Sequence, residues 1–219
     1  MIKPFIVLLG ALLLCGCQTA DSLSAKNDPK ARWWSLEFLG PNYMIGWVEA
    51  SAVEDVNGQF FNHGSGGVIG NGNPGYATEA ARGWVDGVGG NIRAVVGADL
   101  PKRILVRWQS VVEPQTYRAW VEIPEAAREI MHTSTHRRCP ETPERTARYM
   151  ASVYLGLAPG GVVQVWVVNG CGYAIKVARG KGEIEPLGPH LGKSGGHYYP
   201  QSQASKRYVE KYGIPYGSW

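Results

Sequence analysis

Alternating apolar and polar residues dominate the chain between residues 33 and 186, and this period of two predicts β-strands. The clearest example is the stretch RILVRWQSVVEPQTYRAWVEIP, in which both halves alternate. A four-residue loop at EPQT would join the halves and pair Val112 with Tyr117. The pattern therefore predicts an antiparallel hairpin.

The two faces of this hairpin have different chemistry. In the predicted register Trp108 lies opposite Val121 on an apolar face, while Arg118 and Trp120 point to the other face. Trp and Arg are the residue types that most often anchor protein interfaces. Arg118 and Trp120 are therefore candidate partner-binding residues, unless a helix or the glycine-rich segment 58–97 covers them.

Two more hairpins are predicted from turn residues between alternating segments. WVEASAVEDVNGQFF turns at Asn57-Gly58, and VVQVWVV is joined to YAIKVA by NGCG, which contains Asn169-Gly170. An Asn-Gly pair is a strong hairpin signal because both residues adopt left-handed backbone angles readily.

Two short helices are predicted between the hairpin with the EPQT loop and the hairpin with the NGCG turn. IPEAAREIM (residues 123–131) has a proline in its first turn, and TPERTARYMASVYLG (residues 142–156) has Thr142 as its cap and ends at Gly156. The fold class predicted is therefore mainly β (α+β), an antiparallel sheet or sandwich with a small two-helix insert.

Composition along the chain predicts four regions. Residues 1–16 read as a signal peptide, 17–32 as a flexible polar tether, 33–186 as a single β-rich globular domain, and 187–219 as a basic, Tyr-rich tail. The tail is expected to be weakly ordered or draped over the domain.

The stretch LCGC near the start resembles a bacterial lipobox. Cys17 follows the small residue Gly16, whereas Cys15 follows Leu14, so Cys17 is expected to become the lipidated first residue of the mature chain. The alternative is an ordinary secretory signal with an incidental cysteine. Gln18, rather than Asp, after the lipidated cysteine resembles the outer-membrane pattern. We therefore expect a lipid-anchored envelope protein, held in the outer membrane and facing the periplasm.

The remaining cysteines, Cys139 and Cys171, form an even pair in an oxidising compartment, so a disulfide between them is expected. The alternative is a pair of free thiols or a metal site, because His132 and His136 precede Cys139 at ligand-like spacing. The two arginines directly before Cys139 oppose a cation, and no metal ligand or other cofactor is predicted.

Neither charge nor motifs point to nucleic acid or to catalysis. The formal net charge is only +4 over 219 residues. GNGNPG has the spacing of a dinucleotide loop without a flanking strand and helix, and GPHLGKS is one residue short of a phosphate loop. Ser65 and His63 lie near glycines but outside a G-x-S-x-G motif. We therefore expect a protein that is not an enzyme and has no nucleic-acid partner.

Three stretches carry a resemblance to a known family. YMIGWVEASAVEDVNGQFF, LPKRILVRWQSVVEPQTYRAWVEIP and LGLAPGGVVQVWVVNGC resemble the bacterial lipoproteins of domain of unknown function 2931. These are packing and turn motifs, so the resemblance supplies no catalytic residue.

The resemblance also implies a role. Members of that family are often encoded near type VI secretion spike proteins and lipase effectors, which implies an immunity lipoprotein that binds and blocks a secreted (phospho)lipase effector. The alternative hypothesis is a structural or assembly lipoprotein of the cell envelope or of the secretion machinery.

Overall fold

The computed structural model describes residues 34–75, 83–84, 93–134, 137–144 and 151–219. The expected signal peptide, Cys17 and the tether lie outside the described residues. Within the described part of the chain, no helix is long and apolar enough to span a membrane.

The described residues contain eleven strands and two α-helices. The strands are β1 (Trp34–Leu39), β2 (Gly46–Asp55), β3 (Phe60–Gly64), β4 (Gly67–Ile69), β5 (Ala94–Val95), β6 (Pro101–Ser110), β7 (Gln115–Glu122), β8 (Ser152–Ala158), β9 (Val162–Val168), β10 (Ala174–Lys181) and β11 (Glu183–Ile184). The helices are α1 (Glu125–Ser134) and α2 (Gln203–Tyr212), and short 3-10 turns occupy Pro159–Gly161 and Pro189–Gly192.

The strands form two sheets. The first has the order β10-β9-β8-β1-β5, and the second has the order β11-β7-β6-β2-β3, with β4 also pairing with β2. Among the described strands, every pair is antiparallel except β1 with β8. The predicted fold class, mainly β with antiparallel sheets, is confirmed.

One apolar core joins the two sheets. Trp34 and Leu155 from the first sheet and Trp108 from the second are almost completely buried in it. Ala127 and Met131 of α1 close one part of the same core. Such burial is the main favourable contribution to folding.

The predicted register of the β6–β7 hairpin is wrong by four residues. Trp108 lies opposite Tyr117 rather than Val121, and the turn occupies residues 111–114. The reason is that Val112 leaves the strand and packs into a second apolar cluster, which the C-terminal segment completes. Because the shift is an even number, each side chain stays on its predicted face.

The other two hairpins form where they were predicted. β2 and β3 turn at Asn57-Gly58, where Gly58 has a positive φ of 76°. β9 and β10 turn at Asn169, whose Oδ1 accepts hydrogen bonds from Cys171 N (3.0 Å) and Tyr173 N (3.1 Å). Asn169 therefore holds this turn with its own side chain.

Of the two helices predicted in the insert, the first is confirmed as α1. The second is wrong over residues 152–156, which belong to strand β8, while residues 145–150 lie outside the described residues. Val153, Leu155 and Leu157 alternate with residues on the other face and are buried between β1 and β9. Central sheet pairing overrides the local helical spacing here.

The tail is packed against the domain. Ser202 caps α2 by accepting a hydrogen bond from Ser205 N (3.1 Å), and Tyr208 stacks on Tyr43 with ring centroids 3.9 Å apart. Trp219 is only 5% exposed and donates Nε1–H to Pro159 O (3.2 Å). The Tyr-rich composition of the tail thus supplies the second apolar cluster.

Cys139 and Cys171, which are 32 positions apart in sequence, are joined by a disulfide in the structure, with Cα atoms 5.4 Å apart. The bond links the segment after α1 to the β9–β10 turn, in agreement with the expected pairing. It also occupies the thiol that the alternative metal site would need. Among the described residues, no group of three or more His, Cys, Asp or Glu side chains is arranged to hold a metal ion.

Candidate functional site

The outer face of the second sheet carries both residues that the sequence nominated for partner binding. Trp120 is 43% exposed, and the Arg118 side chain is 49% exposed. They are two positions apart on β7 and share one face. Among the described residues, Arg103 and Phe60 contact the Trp120 ring, yet Trp120 and Arg118 both keep a large exposed fraction.

Trp120 belongs to a small exposed aromatic cluster. The Arg103 guanidinium lies over the Trp120 ring, 4.4 Å from its centroid, and Phe60 meets the same ring edge-on with centroids 6.1 Å apart. Glu54 pairs with Arg103 and keeps its side chain in place. We call Phe60, Arg103 and Trp120 the aromatic shelf, an exposed apolar surface with a cation over the Trp120 ring.

A groove of about 660 Å³ lies beside the aromatic shelf. Its apolar lining residues are Ala50, Leu105, Ala119, Trp120 and Leu191. Its charged lining residues are Arg107, Arg118, Lys181, Glu183 and Glu185. Ala50 on β2 is a small side chain of this lining, whereas the Ala119 side chain belongs to the apolar core between the sheets.

Two arginines face each other across the groove-bearing strands. Arg107 on β6 lies directly opposite Arg118 on β7 in the hydrogen-bonded register. Like charges in that arrangement destabilise a sheet unless carboxylates compensate them. Arg107 Nε pairs with Glu49 (2.7 Å), and Arg118 lies 3.6 Å from Glu185.

Glu49 is the buried acid that organises this site. It sits at a β-bulge, between the pairs Val48–Trp108 and Ala50–Arg107, and its side chain is 1% exposed. Gln109 Nε2 donates to Glu49 Oε1 (2.8 Å), in addition to the Arg107 contact. Both contacts of the Glu49 carboxylate named here are hydrogen bonds from side-chain N–H groups.

The pKa of Glu49 reflects these contacts. Burial by itself raises the pKa of the carboxyl, but hydrogen bonds from His190 N–H, Arg107 and Gln109 outweigh burial, and the pKa lies below its ordinary value of 4.5. Glu49 is therefore an anion at neutral pH, and it fixes Arg107 in the groove.

A segment of the tail, residues 187–199, crosses the edge of the groove, and we call it the strap. His190 N donates to Glu49 Oε1 (2.7 Å), and Tyr199 N donates to Gln109 Oε1 (2.6 Å). The Tyr199 ring also stacks on Trp47 with centroids 4.6 Å apart. The rejected phosphate-loop sequence GPHLGKS lies in the strap, where it bonds to a carboxylate.

The strap holds two consecutive residues in an unfavourable backbone conformation. His190 and Leu191 have positive φ values of 52° and 54°, a region that costs L-residues about 1–2 kcal/mol each. The bonds to Glu49 and Gln109 stabilise this conformation. As a result Leu191 lines the groove.

We expect Glu49→Gln to lower the free energy of unfolding by about 2 kcal/mol near neutral pH, because Arg107 loses a charged partner. A carboxyl whose folded pKa is depressed stabilises the fold above its unfolded pKa and loses that contribution as pH falls through the folded pKa. The difference between the two proteins should therefore shrink in acid. Urea unfolding at about pH 7 and about pH 3 measures it.

Glu183→Gln is the matched control for this prediction, because Glu183 is also near the arginines but is well exposed. It should change stability by less than about 0.5 kcal/mol. A difference between Glu49→Gln and the unchanged protein that is the same at both pH values would contradict the assigned role of the Glu49 charge.

Ser65 and His63 do not form a catalytic pair in the structure. The Ser65 hydroxyl donates to Val48 O (2.6 Å) and accepts from Gly67 N (3.1 Å), so it holds a turn. Burial, with the nearby Arg93 charge, lowers the pKa of His63. Its neutral imidazole contributes to packing beside β1.

The sequence pointed to Arg118 and Trp120 but not to Glu49, Gln109 or the strap. The bulge at Glu49 interrupts the alternation on β2, so its side chain could not be assigned to a face by periodicity. The one available signal was an unpaired acid between apolar residues in WVEAS.

A family model described as Protein of unknown function (DUF2931) matches residues 19–217. The chain belongs to this family. The match spans both sheets, the strap and α2, so in this DUF2931 protein the groove and the segment that borders it lie inside the family domain.

Comparisons with curated proteins and with solved structures gave no match to the chain. The DUF2931 description names no activity, and the site must therefore be interpreted from its own residues.

Proposed function

We propose that this DUF2931 protein is a non-enzymatic lipoprotein that faces the periplasm and binds and blocks a secreted (phospho)lipase effector of a type VI system. It acts by covering a surface of the effector, and the exposed groove and aromatic shelf form the binding surface. No cofactor takes part.

The observation that carries the proposal is the exposed pairing of Trp120 and Arg118 beside an open groove. Large aromatic and Arg side chains that stay exposed on a monomer are the usual anchors of protein interfaces. Here they sit on β7, which pairs with β6 along its whole length and with β11 at Arg118. The binding surface is therefore rigid before the partner arrives.

The groove contains anchors rather than reactive groups. Glu49, the buried acid behind the lining residue Arg107, accepts hydrogen bonds from Arg107, Gln109 and His190. A carboxylate held in this way positions cations and is poorly placed to accept a proton from a substrate. This arrangement supports a blocking role more than a chemical one.

The expected lipid anchor on Cys17 supports the same role. An effector that attacks phospholipid works at a membrane surface, and a tethered inhibitor on the periplasmic side of the outer membrane meets it at high effective concentration. The polar tether of residues 17–32 gives the domain room to reorient.

Trp120→Ala is the direct test of the proposed surface. We expect it to weaken binding of the effector encoded beside this gene by about 2 kcal/mol, or roughly thirtyfold, as for a typical interface anchor. Isothermal titration with the purified proteins measures the affinity, and survival of a sensitive strain measures protection.

Ser65→Ala and His63→Ala serve as controls, because neither residue is asked to do chemistry. Both should retain protection once folding is verified by circular dichroism. Full protection by Trp120→Ala would reject the surface. If the protein binds no neighbouring effector and its deletion leaves cells resistant, the role of an assembly lipoprotein of the envelope or secretion machinery replaces this proposal.

A further inference from the structure

We propose that the groove binds an extended, acidic segment of the partner protein, with a carboxylate and an apolar side chain two residues apart on the same side of the segment. This inference rests on the proposed function and adds the chemistry of what is bound. The carboxylate lies over Arg107 and Arg118, and the apolar side chain lies on the aromatic shelf.

The positive charges of the groove are more accessible than most of the carboxylates that pair with them. Glu49 and Glu185 are buried, whereas Arg118 is half exposed, and Arg107 keeps 21% of its side chain exposed. Among the described residues, Arg107 contacts Glu49 through Nε, so its terminal nitrogens remain as donors. Arg107 thus presents N–H groups outward while its counterion Glu49 is buried, and Arg118 lies between buried Glu185 and exposed Glu183.

Lys181 adds to this charge. It lines the same groove, is exposed, and has no acidic partner within ion-pair distance in the described part of the chain. Glu183 is the one well-exposed acid of the lining, at a distance of 3.9 Å from Arg118. The accessible charge of the groove is therefore positive and complements an anionic segment.

The spacing of Arg118 and Trp120 along β7 matches that of side chains in an extended segment. Arg118 and Trp120 are two residues apart on β7, so their Cα atoms are about 6.5–7 Å apart along the strand. In an extended segment, side chains two residues apart point to the same side and repeat at the same distance. A carboxylate at one position and an apolar side chain two positions on can then contact Arg118 and Trp120 together.

The groove has an apolar lining and a border formed by the strap. Leu191 of the strap borders it, and Leu105 and Ala119 line it with apolar surface. His190 and Leu191 are held in left-handed conformations by the bond to Glu49, so this border is fixed. An open groove with one fixed border of this kind has room for an extended chain along the strands.

The test uses the purified full chain and two labelled peptides of identical composition. In Ser-Glu-Ser-Phe-Ser-Glu-Ser-Phe-Ser the acids and aromatics lie on one side of an extended chain. In Ser-Glu-Phe-Ser-Ser-Glu-Phe-Ser-Ser they lie on opposite sides. We expect the first peptide to bind at least about tenfold more tightly by fluorescence anisotropy, and its affinity to fall as salt rises from about 50 to about 500 mM.

Matched variants locate the binding. Arg118→Glu should reduce affinity for the first peptide by about tenfold or more, and Trp120→Ala by a similar factor. Arg207→Glu makes the same charge change at an exposed position of α2, away from the groove, and should leave the affinity unchanged. Circular dichroism of each variant separates loss of binding from loss of folding.

Three results would overturn the inference. The first is that the two peptides bind equally or not at all. The second is that Arg207→Glu and Arg118→Glu reduce peptide affinity equally. The third is Arg118-dependent binding of phosphatidylglycerol vesicles without peptide binding, which would assign the groove to a lipid headgroup. A chain that protects cells but ignores the peptides loses only this inference. A chain that binds the in-phase peptide but protects against no effector loses the proposed function instead.

Discussion

Cys17→Ala is expected to release the protein from the membrane fraction, whereas Cys15→Ala is expected to leave it bound. The reason is that Gly16 before Cys17 fits the small residue required at the cleavage site, while Leu14 before Cys15 does not. Each buried methylene of an acyl chain contributes about 0.8 kcal/mol, so loss of the lipidated cysteine removes nearly all of the anchoring. Palmitate labelling followed by membrane fractionation measures both variants.

The two cysteines control for each other, because they are two positions apart in the same segment. Export itself should be unaffected by Cys15→Ala, since the apolar run before it is unchanged. If Cys15→Ala alone loses the label, or if neither variant changes the labelling, the lipobox interpretation is wrong and an ordinary secretory signal replaces it.

Trp219→Ala is expected to lower the free energy of unfolding by about 3 kcal/mol, the size typical of truncating a buried aromatic residue. The indole is almost fully buried in the cluster with Tyr43, Val112 and Tyr208, and its Nε1–H bonds to Pro159 O. Truncation leaves a cavity and an unpaired carbonyl. Urea unfolding followed by circular dichroism gives the change in midpoint.

Trp120→Ala provides the same substitution at an exposed site of the same chain. It should cost less than about 1 kcal/mol of stability, because Trp120 is 43% exposed and contacts Phe60 and Arg103 on the outer face. Equal losses for Trp219→Ala and Trp120→Ala, or no loss for Trp219→Ala, would show that the C-terminal segment contributes little to the fold.

Local turn chemistry was the most reliable source of prediction. The hairpins at Asn57-Gly58 and Asn169-Gly170 form where they were predicted, because the turn residues themselves impose the backbone conformation. The outward placement of Arg118 and Trp120 was also predicted, since alternation survives any even shift of register.

The errors occur where distant segments compete with local pattern. Val112 looks like a strand residue, but the cluster containing Tyr208 and Trp219 draws it into the turn. Residues 152–156 have helical spacing, yet they pair with β1 and β9 in the middle of a sheet. Neither Tyr208 nor β1 is close in sequence to the segment it reorganises, so no local window contains the deciding contact.

The candidate site divides along the same line. Its anchors on β7 were predictable from a single hairpin. The role of Glu49, which holds Arg107 and the strap, was not predictable, because its contact with His190 joins residues 141 positions apart. A buried carboxylate of this kind becomes recognisable only when the donors that surround it are known.

The contact between Tyr43 and the tail also bears on how the molecule is assembled. Ser205 Oγ donates to Tyr43 O across 162 residues of sequence, and Trp219 completes the same cluster. A polypeptide emerges from the ribosome, or from a translocation channel, with its N-terminal part first. Tyr43 and Met44 therefore remain uncovered until nearly the whole of the described chain has emerged. During that interval the nascent protein exposes an apolar patch. We expect it to depend on holdase chaperones until α2 packs against this patch.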